Sequence, residues 1–110
     1  MERTDRIAEE IKKVISDMIQ NELKDPRVKG LISVTKTLIT KDLKYCKIYI
    51  SVLGADKNEV LEGIKSGAGY MRKELGNRIE IRILPELNFI LDDSLEYGAH
   101  IDQVIKDINS

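Results

Sequence analysis

The sequence predicts an α+β fold in which a three-stranded sheet is covered by helices on one face, and three observations predict it. Residues 4 to 23 repeat apolar side chains at helical spacing, residues 31 to 53 hold two β-branched runs joined by a short polar turn, and residues 79 to 91 alternate apolar and polar side chains. The chain has 110 residues, 42% hydrophobic and 34% charged. That suits one compact domain spanning residues 1 to 110 and excludes a disordered chain. With one Phe, four Tyr and no Trp, the core has to be built mainly from Ile, Leu and Val.

The first helix places Ile7, Ile11, Val14, Ile15, Met18, Ile19 and Leu23 on one stripe, with Thr4 or Asp5 available as its cap. It ends before Pro26, because proline disfavours helical geometry at the preceding residue. Leu31 to Thr40 and Lys44 to Leu53 form a hairpin around Lys41-Asp42-Leu43. In the second strand Cys46, Ile48, Ile50 and Val52 share the core face, and Tyr45, Lys47, Tyr49 and Ser51 the other. In the first strand Ile32, Val34 and Leu38 alternate toward the core, but Lys36 falls on the same parity. Either a bulge or a lysine stem reaching the sheet edge resolves this.

After Gly54, Asp56 or Asn58 caps a second helix carrying Val60, Leu61, Ile64, Met71 and Leu75. Its centre, Gly67, Ala68 and Gly69, predicts a break or kink, since each glycine inside a helix costs about 1 kcal/mol relative to alanine. From Ile79 to Leu91 every odd position is apolar, which predicts one long half-buried strand. Pro85 lacks a ladder donor, so the strand lies at an edge there or is bulged. Ser94 caps a final helix, about residues 94 to 109, with Ile101, Val104, Ile105 and Ile108 on one stripe. The order is αββ(α-kink-α)βα.

The net charge of -1 hides a separation. Residues 24 to 47 carry seven basic side chains against two acidic ones, a balance of +5, and residues 65 to 82 add +3. From Glu86 onward the balance is -5. Such blocks are often only solvated surface, but a basic half is also what a phosphate-rich partner needs. Nothing at the start resembles a secretion signal, and no apolar run approaches the roughly 20 residues that span a bilayer, so the expected compartment is the cytoplasm and no membrane partner is expected.

Little supports catalysis. His100 is the only histidine, and Cys46 has the parity of a buried strand residue, where a thiol is inert. A zinc site lacks its ligands. Asp92 and Asp93 precede Ser94, where acids favour a helix N-terminus. Gly67-Ala68-Gly69 is followed by Tyr70-Met71-Arg72, not by the Gly-Lys-Ser/Thr of a nucleotide loop. The expectation is a protein that is not an enzyme, with no cofactor, no metal and no small-molecule substrate. Its remaining functional feature is basic and aromatic: Lys47, Tyr49 and Arg82 share the exposed parity of the sheet, and Arg72 and Lys73 follow the kink.

The αββ(α-kink-α)β order resembles the type II KH arrangement, an RNA-binding fold in which a GxxG loop between paired helices clamps the nucleotide backbone. This chain has no GxxG. A series of separated motifs instead resembles the ribosome-binding factor A family, whose KH-like domain replaces the loop with an Ala-x-Gly kink. They are Lys24-Asp25-Pro26-Arg27, Asp42-Leu43, Val52-Leu53-Gly54, Gly69-Tyr70-Met71-Arg72-Lys73-Glu74-Leu75, Arg82-Ile83-Leu84-Pro85-Glu86-Leu87-Asn88-Phe89, Asp92-Asp93-Ser94 and Gly98. Gly67 departs from the family, which usually has alanine there. The resemblance implies a monomeric cytoplasmic assembly factor that binds the small (30S) ribosomal subunit and 16S rRNA. It further implies support of late maturation, including 16S rRNA 5′-end processing, and a role in growth at low temperature.

Charge clustering and motif membership select Arg27, Lys29, Lys44, Lys47, Arg72, Lys73, Arg78 and Arg82 as candidate RNA contacts, with Gly67, Ala68 and Gly69 as the structural kink. Some have competing structural roles: Arg27 could cap the first helix, and Arg82 could pair with Glu80 or Glu86. The alternative function is a protein-protein interaction module without direct RNA contact.

Overall fold

The computed structural model describes residues 3–92. The elements run α1 (Arg3–Asn21), β1 (Leu31–Ile39), β2 (Tyr45–Leu53), α2 (Lys57–Ser66), α3 (Ala68–Arg78) and β3 (Glu86–Leu91). The expected helix at 94 to 109, His100 and most of the Asp92-Asp93-Ser94 motif lie outside the described residues. The sheet order is β1-β2-β3, with β1 antiparallel and β3 parallel to β2. Parallel neighbours need a long crossover, and the α2–α3 pair supplies it.

The helices cover one face of the sheet. Ile7, Ile11, Ile15, Met18 and Ile19 of α1, Val60 and Ile64 of α2, and Met71 and Leu75 of α3 meet Ile32, Val34, Cys46, Ile48, Ile50, Val52, Leu87 and Phe89 in one core. Burying a large aliphatic side chain contributes about 1.5–3 kcal/mol, so this layer contact is the main source of stability. Tyr45, Lys47, Glu86 and Asn88 stay exposed on the opposite face.

The predicted kink is a full break. Gly67 ends α2, donating its N–H to the carbonyls of Ile64 and Lys65, and its own carbonyl accepts from Met71 in α3. Its backbone, φ −92 and ψ 3, is open to any residue. The glycine matters for space: a Cβ there would stand 2.7 Å from Cδ2 of Leu23. Asp56 is the cap of α2, its carboxylate accepting from the N–H of Glu59 at 3.0 Å.

Three local expectations are corrected. Arg3 already belongs to α1, so Thr4 and Asp5 lie in its first turn instead of capping it. The lysine parity problem is resolved by a bulge, because the β1–β2 register shifts between Val34 and Lys36. Beyond the bulge the faces exchange: Thr37 turns inward, its hydroxyl donating to the carbonyl of Ala8 at 2.6 Å, and Leu38 turns outward at 45% exposure. Leu38 is therefore not core.

The third correction concerns the long strand, which begins only at Glu86. Its partner β2 starts at Tyr45, paired with Glu86, so earlier residues run past the end of the ladder. The N–H of Glu86 makes the first bond, to the carbonyl of Lys44 at 2.8 Å. Pro85 is fully buried just before the strand and cannot donate. Ile79 and Ile81 still pack against the core, while Ile83 is exposed.

Candidate nucleic-acid interface

The eight basic candidates divide by what their side chains do within the fold. Arg27 is held by Asp25, with Nη2 2.7 Å and Nε 3.0 Å from the two carboxylate oxygens. The same carboxylate accepts from the Arg27 N–H and from the Ser66 hydroxyl at 3.1 Å, tying the segment after α1 to the end of α2. These contacts hold the Asp25 carboxyl well below the usual carboxylate range. Arg27 does not cap the helix; it braces the turn that follows it.

Arg78 of α3 reaches back to α1. Its guanidinium grips the Glu22 carboxylate through both terminal nitrogens and also contacts Glu74 and Asp17. The Tyr70 hydroxyl donates to Glu22 at 2.7 Å. Arg72 donates to the carbonyls of Leu84 at 2.8 Å and Pro85 at 3.1 Å, holding the approach to β3. These three arginines therefore have internal partners, which reduces the donors they can offer to a ligand.

The other five are exposed and make no side-chain hydrogen bond or ion pair among the described residues. Lys44 and Lys47 lie at the end of the hairpin turn and on the open sheet face. Their placement follows from Lys41-Asp42-Leu43: Leu43 takes φ 64, and the Asp42 carboxylate accepts from the Thr40 hydroxyl at 2.6 Å and the Lys44 N–H at 3.0 Å. Those bonds lower the Asp42 pKa. Arg82 leaves the sheet face expected for it, because residues 79 to 85 are not strand. It lines a groove of about 440 Å³ with Arg3, Ile7, Leu43, Glu80, Ile81 and Ile83, and pairs with neither Glu80 nor Glu86. Lys73 projects from α3 and Lys29 borders a separate groove between α1 and β1. The hairpin tip thus gathers Lys44 and Lys47, while Lys29 and Lys73 stand apart.

Sequence reasoning left several members of the open face out of its functional candidates. Lys36 lies across from Tyr49, its ammonium 5.8 Å from the ring centroid, within cation–π range. Tyr45, Leu38 and Asn88 lie on the same face. The shared parity of Tyr45 and Lys47 was a signal for the first; the bulge concealed the second, and the unknown partner of β3 the third. Among the described residues no cluster of three or more His, Cys, Asp or Glu could hold a metal ion. Burial raises the Cys46 thiol to about 11, which removes it as a nucleophile. No described helix is long and apolar enough to cross a membrane.

A three-stranded mixed sheet, helices on one face and a broken helix pair in the crossover define the class: an α+β, KH-like type II domain. The family model for ribosome-binding factor A matches residues 3–105. A ribosome-binding factor A of Acetivibrio thermocellus is 52% identical, the alignment covering 100% of this chain and 91% of the relative. That of Caldanaerobacter subterraneus subsp. tengcongensis is 50% identical over 97% of this chain and 89% of its own. Among solved structures, the Thermus thermophilus ribosome-binding factor A crystal structure aligns with a TM-score of 0.73 at 23% identity, covering 80% of this chain and 93% of that one. The solution structure of a Thermotoga maritima protein described as a putative ribosome binding factor A gives 0.70 at 26% identity, covering 80% and 85%. A Thermus thermophilus homology model fitted into a cryo-EM map of a 30S complex gives 0.66 at 23%, covering 78% and 91%. The chain belongs to the ribosome-binding factor A family.

Proposed function

We propose that this protein binds the small (30S) ribosomal subunit through its 16S rRNA and promotes late maturation, including 16S rRNA 5′-end processing. The observation that carries this reading is family membership over nearly the whole chain, together with a family relative fitted into a 30S complex. In this reading residues 1 to 110 act as one unit, monomeric and cytoplasmic, supporting growth at low temperature. It needs no catalytic group, since a binder biases rRNA folding simply by holding one conformer more tightly than another. Lys44, Lys47, Lys29, Lys73 and Arg82 are the proposed phosphate contacts, and Arg27, Arg72 and Arg78 contribute mainly by shaping the domain.

Gradient co-sedimentation with immature small subunits, mature small subunits and large subunits tests this at two salt concentrations. Salt-sensitive migration with small subunits, strongest for immature ones, is the expected result. Absence from every ribosomal fraction at both salts rejects the proposal. Binding that survives removal of rRNA points instead to a protein-interaction module.

A further inference from the structure

We propose that the open face of the sheet contains a pocket for one unstacked base of single-stranded RNA, stacked on Tyr45 and flanked by Lys47 and Asn88. This deepens the proposed function and rests on it. The face opposite the helices carries a cleft of about 430 Å³ lined by Leu38, Ile39, Thr40, Tyr45, Lys47 and Asn88. Its volume is within the range of about 300–1,000 Å³ usual for sites that hold a small organic group. The register builds it: Leu38 of β1, Lys47 of β2 and Asn88 of β3 form one row across the sheet. Tyr45 stands two residues away on the same strand face.

The chemistry of the lining fits a base better than a generic apolar partner. Tyr45 is 50% exposed, its ring carried at the start of β2. Aromatic rings stack on every base, because every base has a π face. The other tyrosine of this face, Tyr49, already has the Lys36 ammonium over its ring; among the described residues no cation lies over Tyr45. The Asn88 amide makes no hydrogen bond among the described residues, and it offers both donors and an acceptor to a base edge. The Lys47 ammonium is also unpaired among the described residues, and Lys44 lies one residue before Tyr45.

The acids nearby do not cancel this charge. Asp42 keeps its charge while accepting from Thr40 and the Lys44 N–H, and with Glu86, the cross-strand neighbour of Tyr45, and Asp92, which accepts from Thr35, it stands against Lys36, Lys41, Lys44 and Lys47. A duplex is a poor occupant because its bases are stacked and its base faces unavailable. Single-stranded RNA presents free faces and a phosphate chain together.

The test titrates the full chain with a fluorescein-labelled, unstructured RNA of about six nucleotides, and with a duplex of the same sequence, read by anisotropy at low salt. Co-sedimentation with small subunits runs in parallel. The single strand is expected to bind and the duplex not. Tyr45→Ala weakens binding by roughly 5- to 100-fold and Tyr45→Phe restores it. Lys47→Ala lowers the salt slope by about one, and Asn88→Ala alters the preference among bases. Circular dichroism checks that each variant is folded. Duplex binding equal to single-strand binding, or a folded Tyr45→Ala with unchanged affinity, overturns the pocket. If the chain sediments with small subunits, ignores the oligonucleotide and is released by Tyr45→Ala, the face docks a protein; the pocket then falls while the proposed function stands. If the oligonucleotide binds as described but no subunit does, the pocket stands and the proposed function falls.

Discussion

Glu22 shows how one carboxylate joins two elements. It follows α1, accepts from Tyr70 and Arg78 of α3, and its pKa falls to about 2, mainly through the Arg78 and Tyr70 hydrogen bonds. A carboxyl with a lower pKa in the folded state stabilises that state above its unfolded value of 4.5, and the contribution disappears as pH falls toward 2. Thermal melts followed by circular dichroism should therefore show the protein losing stability between about pH 5 and about pH 2. Glu22→Gln should start less stable at neutral pH and lose less across that window; identical pH profiles would contradict the assignment. Cys46 supplies a second residue-scale test. Its buried thiol, raised to about 11, should resist alkylation in the folded protein and react fully in denaturant.

At the scale of elements, the bulge in β1 and the break between α2 and α3 determine which side chains reach which face. Thr37 is buried beyond the bulge and its hydroxyl is bound to the Ala8 carbonyl, coupling β1 to α1. Thr37→Val should cost about 0.5–1.5 kcal/mol in urea denaturation, the usual net worth of one such bond. The two glycines at the break should respond differently to alanine. Gly69 lies in the first turn of α3 with nothing within 4 Å of a new Cβ, so Gly69→Ala should stabilise by up to about 1 kcal/mol. At Gly67 the new Cβ meets Leu23, and the gain is reduced by the shift that side chain must make.

For the whole molecule, the separation of charge matters more than the total. Long-range fields steer association, and free lysines near the hairpin tip concentrate positive charge on one part of the surface. Replacing Lys44 and Lys47 together with alanine should flatten the salt dependence of subunit binding while leaving the melting temperature nearly unchanged. Arg78→Ala should do the reverse, lowering the melting temperature because the Glu22, Glu74 and Asp17 carboxylates lose their common partner. If both replacements altered salt dependence equally, the division between bracing arginines and free lysines would be wrong.

The sequence by itself determined the order of the described elements, the helix-covered core face of β2, the burial of Cys46 and the break at Gly67, because these depend on local periodicity and local propensity. Its motifs also marked the family. It identified the basic residues as a set but not their division. Whether an arginine is free depends on which carboxylate or carbonyl lies opposite, and Glu22 reaches Arg78 across 56 residues of chain. The choice of a bulge over a reaching lysine stem, with the expulsion of Leu38, the start of β3 at Glu86 and the cleft beside Tyr45 were likewise decided only in the tertiary structure. Each depends on where a strand's partner begins and ends, and a strand carries no record of that in its own alternation.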